Sequence, residues 1–195
     1  MNKLHLLNLH RMPIPEGYLP DPSRHLYNER DRAHYEWALK KLNGYKSALD
    51  IGCFDGWLDF LLMEKGFKIE SVELVPELAQ AANNYAKKNS LDYVCHEGLL
   101  TELKFDKKFD CCLCFEVLEH MSLIEVQEYL SLMEDLSNSL VLISLPDQKK
   151  EDNLQHQWTP TSEVVCELFG KKKGFESTYI INQGTVPNFL ISYYI

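Results

Sequence analysis

No stretch of the 195-residue chain approaches about eighteen consecutive apolar residues, so no transmembrane helix is expected. The opening MNKLHLLNLHRMPIPEG holds only a short apolar patch. His5, Asn8 and His10 break it, and no small-residue cleavage site follows, which argues against a signal peptide. There is no internal repeat and no low-complexity tract. Basic residues are scarce: the net charge is −9. Residues 47–195 hold twelve Lys and Arg against twenty-four Asp and Glu, while residues 1–46 hold eight against five. An acidic body argues against broad nucleic-acid binding. Arginine is scarcest of all, and Arg11, Arg24, Arg30 and Arg32 all precede residue 33. Of six cysteines only Cys111 and Cys114 form a C-x-x-C, inside the apolar run FDCCLCFEV, and no second pair exists. A zinc or redox centre is therefore not expected. Reduced core cysteines of a cytoplasmic protein fit better.

What is present is a core-forming composition, 45% hydrophobic, at a length suited to one domain. The proline-dense MPIPEGYLPDP has no strand or helix period and reads as an arm. Residues 28–43 then show Tyr35, Leu39 and Leu42 at helical spacing, closed by Asn43-Gly44. From residue 45 strands and helices alternate. YKSALDI, FKIESVEL, LDYVCH, FDCCLCF and SLVLISL read as strands. GWLDFLLMEKG, PELAQAANNYAKKN and SLIEVQEYLSLMEDL read as helices, the last with Ser122 and Glu125 at capping-box spacing. Thr159-Pro160 is expected to start another helix as N-cap and first residue. GFESTYIIN and NFLISYYI close the chain as two strands with a short link, which must pair antiparallel. The expectation is an α/β fold with a mostly parallel sheet covered on both faces. Residues 1–44 form an arm and helix, and 45–195 the main domain.

ALDIGCFDGW, residues 48–57, carries the first chemistry. Asp50 ends an apolar strand, and Gly52 and Gly56 follow. Glycine there lets the backbone turn sharply or lets a ligand come close, and the acid suits a ligand with hydroxyls or an amine. Glu73 ends the next strand, 23 residues on.

In their order, these motifs resemble a class I S-adenosylmethionine-dependent methyltransferase over roughly residues 45–195. The resemblance implies a Rossmann-like, doubly wound seven-stranded sheet with a C-terminal antiparallel hairpin. It implies that Asp50, Gly52, Cys53, Phe54 and Gly56 bind the methionyl part of the cofactor, Phe54 standing where the family pattern has a glycine. Glu73 then accepts the ribose hydroxyls and Leu74 packs on the adenine. In HEGLLTEL, Gly98 aligns with a common glycine, and Leu99 stands where an acid often reads the adenine amino group. Glu97 or the backbone can take that role. FEVLEHM, residues 115–121, resembles the loop after the fourth strand in small-molecule methyltransferases, with Phe115 near the cofactor and Glu116 on the active-site rim.

Methyl transfer is an in-line displacement that needs alignment and exclusion of water. An oxygen acceptor also benefits from a base. His120 and His156 are the candidates, with His34 third. The expected acceptor is an oxygen or nitrogen of a small or glycan-like molecule, which an arginine of the arm could hold if it is anionic. The chain ends at Ile195, so specificity is expected from the arm and from the loops after the fourth and fifth strands. Two alternatives stand beside this. Glu116, Glu119, His120 and His156 resemble the metal-holding set of Hen-type small-RNA 2′-O-methyltransferases. His156 lies only two residues before Trp158, closer than that family's H-x-x-x-W-T, and no metal is expected. A non-catalytic cofactor-binding partner protein is the other alternative.

Overall fold

The computed structural model describes residues 14, 15, 17–149, 153, 155–181 and 186–195. Arg11 and the apolar patch before it lie outside the described residues. Seven strands form one mixed sheet in the order β3-β2-β1-β4-β5-β7-β6. The chain divides into a unit ending at Lys104 and a unit from Phe105 to Ile195.

In the first unit, helix α1 (Pro22–His25) is a single turn inside the proline-dense arm, where no helix is expected from the sequence. Pro22 starts it because a fixed φ and a missing N–H cost nothing at a first helical position. Helix α2 (Glu29–Lys41) begins at Asn28, whose side-chain oxygen accepts from the N–H groups of Arg30 and Asp31. Strands β1 (Ser47–Ile51), β2 (Lys68–Glu73) and β3 (Val94–Glu97) are parallel, with Ile51 beside Val72 and Glu73 beside Glu97. Helices α3 (Trp57–Met63) and α4 (Pro76–Lys88) connect them. The crossovers bring the three strand ends to one edge, where ligands of open α/β sheets bind.

In the second unit, β4 (Phe109–Phe115) and β5 (Ser137–Pro146) are parallel, and β7 (Asn188–Tyr194) runs antiparallel to both β5 and β6 (Glu176–Ile180). Cys111, Cys112 and Cys114 are fully buried free thiols, as the apolar run demands. Helix α5 (Leu123–Leu136) opens with the Ser122–Glu125 capping box. Helix α6 spans Ser162–Phe169 with Thr161 as N-cap, so it starts two residues later than Thr159-Pro160 suggests. Thr161 caps the helix through its Oγ1, which accepts from the Val164 N–H. No described helix is long and apolar enough to cross a membrane.

Candidate active site

The turn after β1 is built on three left-handed residues, Gly52 (φ 77°), Phe54 (φ 57°) and Gly56 (φ 80°). Phe54 thus keeps the conformation that a glycine would take there, at a cost of roughly 1–2 kcal/mol for a side-chain-bearing residue. The surroundings hold it in place. The Phe54 N–H donates to Glu73 Oε2 at 2.9 Å, and the Gly52 N–H donates to the Val72 carbonyl at 2.7 Å. A Cβ on Gly56 would lie 3.0 Å from the Phe60 ring, so no larger residue fits without displacing it.

Glu73 ends β2 and is buried. Its second oxygen accepts from the Val75 N–H at 2.8 Å, so one carboxylate ties the end of β2 to the turn after β1. Burial raises its pKa to about 7, with the backbone N–H groups opposing. Through these two bonds Glu73 is a structural staple of the turn. Gly98 (φ 139°) donates its N–H to the Glu73 carbonyl at 2.9 Å, and Leu99 and Leu74 are half-buried beside these strand ends. Glu97 is exposed at the end of β3.

Asp50 points into a buried polar cluster. Its carboxyl hydrogen-bonds to that of Asp59 on α3, and burial and the Asp59 charge raise its pKa well above the carboxylate range. Asp59 Oδ2 accepts from Ser71 Oγ at 2.5 Å and from the Tyr93 hydroxyl at 2.9 Å. Cys53 Sγ lies 3.6 Å from Cys95 Sγ at the rim of this cluster. No sequence motif marks Asp59, Ser71 or Tyr93. The available signal was an acid in the middle of the apolar helix WLDFLLM.

The arm docks on the same turn. Tyr18 donates its hydroxyl proton to Asp55 Oδ2 at 2.5 Å, and the His25 ring stacks on Trp57 at 4.7 Å. His25 and Arg30 also bind Asp31, at 2.8 and 3.3 Å. Arg24 and Arg32 are exposed. His34 is buried on α2, and burial lowers its pKa to about 4. It lies in the core, not among the residues of the turn.

The second unit brings His120 and His156 together. β4 ends at Phe115, and Glu116 turns the chain at φ 58°, its Oε1 accepting from Ser144 Oγ at 3.0 Å. A 3₁₀ turn, Leu118–His120, follows. The segment around His156 is laced to it: the Gln157 N–H donates to the Glu119 carbonyl at 2.8 Å, and Trp158 Nε1–H to the Leu118 carbonyl at 3.2 Å. The two imidazole rings meet edge to face, 5.3 Å apart. His120 Nδ1 lies 3.3 Å from the Gln155 carbonyl, which can only accept, so the neutral ring carries its proton there and its lone pair on Nε2. Glu119, 1% exposed, places Oε1 3.6 Å from that nitrogen. His156 Nε2 faces the Asn153 amide nitrogen at 3.0 Å, and burial lowers the pKa of the ring, partly opposed by the Gln148 backbone. Glu119, His120 and His156 each offer one donor atom, all within 4.8 Å of one another. Asn153 and Gln155, which fix the two rings, carry no sequence motif that would have revealed them.

Comparison with known proteins bears on both units. Residues 49–137 match the family described as "Methyltransferase domain". The ubiquinone biosynthesis O-methyltransferase of Rickettsia akari is 30% identical over 124 residues, 63% of this chain and 47% of that protein. The chain thus spans about half the length of the curated relatives it matches. Magnesium protoporphyrin IX methyltransferase from Synechocystis, solved with bound S-adenosylmethionine, superimposes with a TM-score of 0.68 at 15% identity, covering 95% of this chain and 89% of that one. The methyltransferase domain of a bacterial Hen1 gives 0.62 at 17%, covering 85% and 99%. At such identities the two structures speak for the fold alone.

Proposed function

We propose that this chain, a class I S-adenosylmethionine-dependent methyltransferase, moves the cofactor methyl to a hydroxyl oxygen of a small molecule, with His120 as general base. The observation that carries this is the fixed tautomer of His120. Its Nδ1 proton is held on the Gln155 carbonyl, which leaves the lone pair on Nε2, 3.6 Å from Glu119 Oε1. The O-methyltransferase relatives support oxygen over nitrogen. In this reading the residues of the turn after β1, with Glu73 and the strand ends Leu74, Gly98 and Leu99, bind the cofactor. Phe115 and Glu116 border the reacting atoms. His156 packs on the His120 ring and holds it. The arm from residue 14 to about 35 acts as a lid on the cofactor turn through Tyr18 and His25. Because Arg30 is bound to Asp31, Arg24 and Arg32 are the exposed arginines among the described residues that remain for an anionic acceptor. The test is product formation with a panel of hydroxyl and amine acceptors, read as S-adenosylhomocysteine released. Turnover confined to amines would overturn the oxygen assignment, and no turnover would favour a non-catalytic binding protein.

The three-residue cluster favours one second reading, a divalent cation held by Glu119, His120 and His156. A carboxylate and two imidazoles suit zinc, iron or manganese. Such an ion would supply Lewis-acid activation of the acceptor oxygen. For His156 to offer Nδ1, its Nε2 would have to donate to Asn153, whose oxygen already accepts from the Gln155 N–H at 3.0 Å. That flip costs a hydrogen bond, and Glu116 is bound to Ser144 instead of joining the set. Activity that survives chelation supports the base reading. Loss on chelation, with recovery on adding manganese or magnesium, supports the metal.

A further inference from the structure

Asp59 lies on α3, outside every motif that the cofactor turn uses, yet it is fully buried and touches the acid of that turn. Two donors from two other elements fix it: Ser71 from β2 and Tyr93 from the segment before β3, both on Oδ2. Oδ1 has no partner among the N–H and hydroxyl donors of the described residues. The Asp59 carboxyl also hydrogen-bonds the Asp50 carboxyl, and two carboxyls hydrogen-bond only with a proton between them. The titratable groups around the pair are Cys53, Glu73, Tyr93 and Cys95, none of them a cation.

We propose that Asp59 is a positioning residue for the cofactor: it shares one proton with Asp50, locks that carboxyl in a single orientation, and leaves the pair with one fixed negative charge for the ammonium group of the cofactor. The proposal rests on the reading of Asp50 as a cofactor residue. An isolated Asp50 buried without a partner would be neutral and free to rotate. The shared proton gives it a donor at a fixed place and keeps the second oxygen of the pair charged. The like-charge repulsion of two ionised carboxylates, which would otherwise open this region, is avoided by the same proton.

The experiment uses the full chain and calorimetric titration with S-adenosylhomocysteine at neutral pH, together with melting curves from pH 5 to 9. Asp50→Asn tests the underlying reading, and a loss of affinity of about tenfold or more is expected from losing a charged hydrogen bond. Asp59→Ala is expected to weaken binding to a similar degree. Asp59→Asn, whose amide can donate to Asp50 without a shared proton, should stay within about threefold of the parent chain. The shared proton has its own signature. The folded state keeps a proton that the unfolded chain releases above its ordinary carboxyl pKa, so unfolding releases a proton and stability falls as pH rises. Asp59→Asn should flatten that fall, which a merely space-filling role would not do. If Asp59→Ala does not fold, Tyr93→Phe removes one of its anchors and should raise the dissociation constant about threefold. Unchanged affinity in Asp59→Ala or, failing that, Tyr93→Phe overturns the proposal. Equal loss in the Asn and Ala variants overturns it too, as does an unaltered pH slope in Asp59→Asn. Unchanged affinity in Asp50→Asn would instead remove Asp50 from the cofactor site, and the proposal with it.

Discussion

Phe54 and Glu116 sit in the two units at equivalent points, each just after a parallel strand and each left-handed, at φ 57° and 58°. Around Phe54 the buried ionisable groups are acids: Asp50, Asp55, Asp59 and Glu73, all with pKa values raised first of all by burial. Around Glu116 they are Glu119 and the imidazole of His156, whose pKa burial lowers. Burial thus acts in opposite directions in the two regions: it favours protons on the carboxyl oxygens of the first and the unprotonated ring of His156 in the second. The contrast predicts that changes in the two units separate binding from chemistry.

The largest effect belongs to the second unit. Replacing His120 with Gln should lower turnover by about 10²–10⁴-fold, the range for a positioned general base. Cofactor affinity should stay within error, because the residues proposed to hold the cofactor, Asp50 to Gly56 and Glu73, belong to the first unit and His120 to the second. Steady-state kinetics on an accepted hydroxyl substrate and calorimetry with S-adenosylhomocysteine provide the two readings. Matched losses in both would erase the division of labour between the units.

Next comes Glu73→Ala in the first unit. Losing an acceptor for the ribose hydroxyls should raise the dissociation constant about tenfold or more, since a hydrogen bond to a charged group is worth roughly 1.5–3 kcal/mol. The same change leaves the N–H groups of Phe54 and Val75 without their carboxylate, so the melting temperature should fall as well. Glu73→Gln retains an acceptor for one of them and should recover part of both losses. A lowered melting temperature with unchanged affinity would make Glu73 a staple of the turn and nothing more.

How far these roles could be read from the sequence depended on whether they are local along the chain. The alternation of strands and helices, the antiparallel closing hairpin and the Ser122–Glu125 cap were legible because each follows from residues a few positions apart. The meeting of His120 with His156 is not local: the two are far apart in the chain, and hydrogen bonds from Gln157 and Trp158 to the 3₁₀ turn bring them together. The Asp50–Asp59–Ser71–Tyr93 cluster was not legible. It joins residues from four segments whose meeting depends on the crossovers of a parallel sheet. The same holds for Gln155 and Asn153, which set the ring protons of the two histidines through contacts across a loop. Helix α6 starts two residues later than the local Thr-Pro signal indicates, with Thr161 in the extended N-cap conformation and its hydroxyl on the Val164 N–H.

The smallest effect sharpens the comparison of the two left-handed residues. A glycine at position 54 or 116 would relieve roughly 1–2 kcal/mol of backbone strain. It would also add about 0.5–1 kcal/mol of unfolded-state entropy. For Phe54→Gly the two leave a net gain of up to about 1.5 kcal/mol, reduced by what the half-buried ring contributes in contacts. The hydrogen bond from the residue-54 N–H to Glu73 is a backbone donor's and survives the change. Glu116→Gly relieves the same strain but removes the acceptor of Ser144, which is buried and then lacks that partner. Leaving a buried hydroxyl unpaired costs roughly 1–3 kcal/mol, so the net effect turns destabilising. Urea unfolding of the two variants beside the parent chain reads the difference as opposite shifts in midpoint. If both variants gain stability, the Ser144 contact contributes little and Glu116 is held left-handed by something other than its carboxylate. If both lose it, the phenyl ring of Phe54 is part of the packing of the turn, and its glycine-like conformation is a consequence of that packing, not a strain waiting to be relieved.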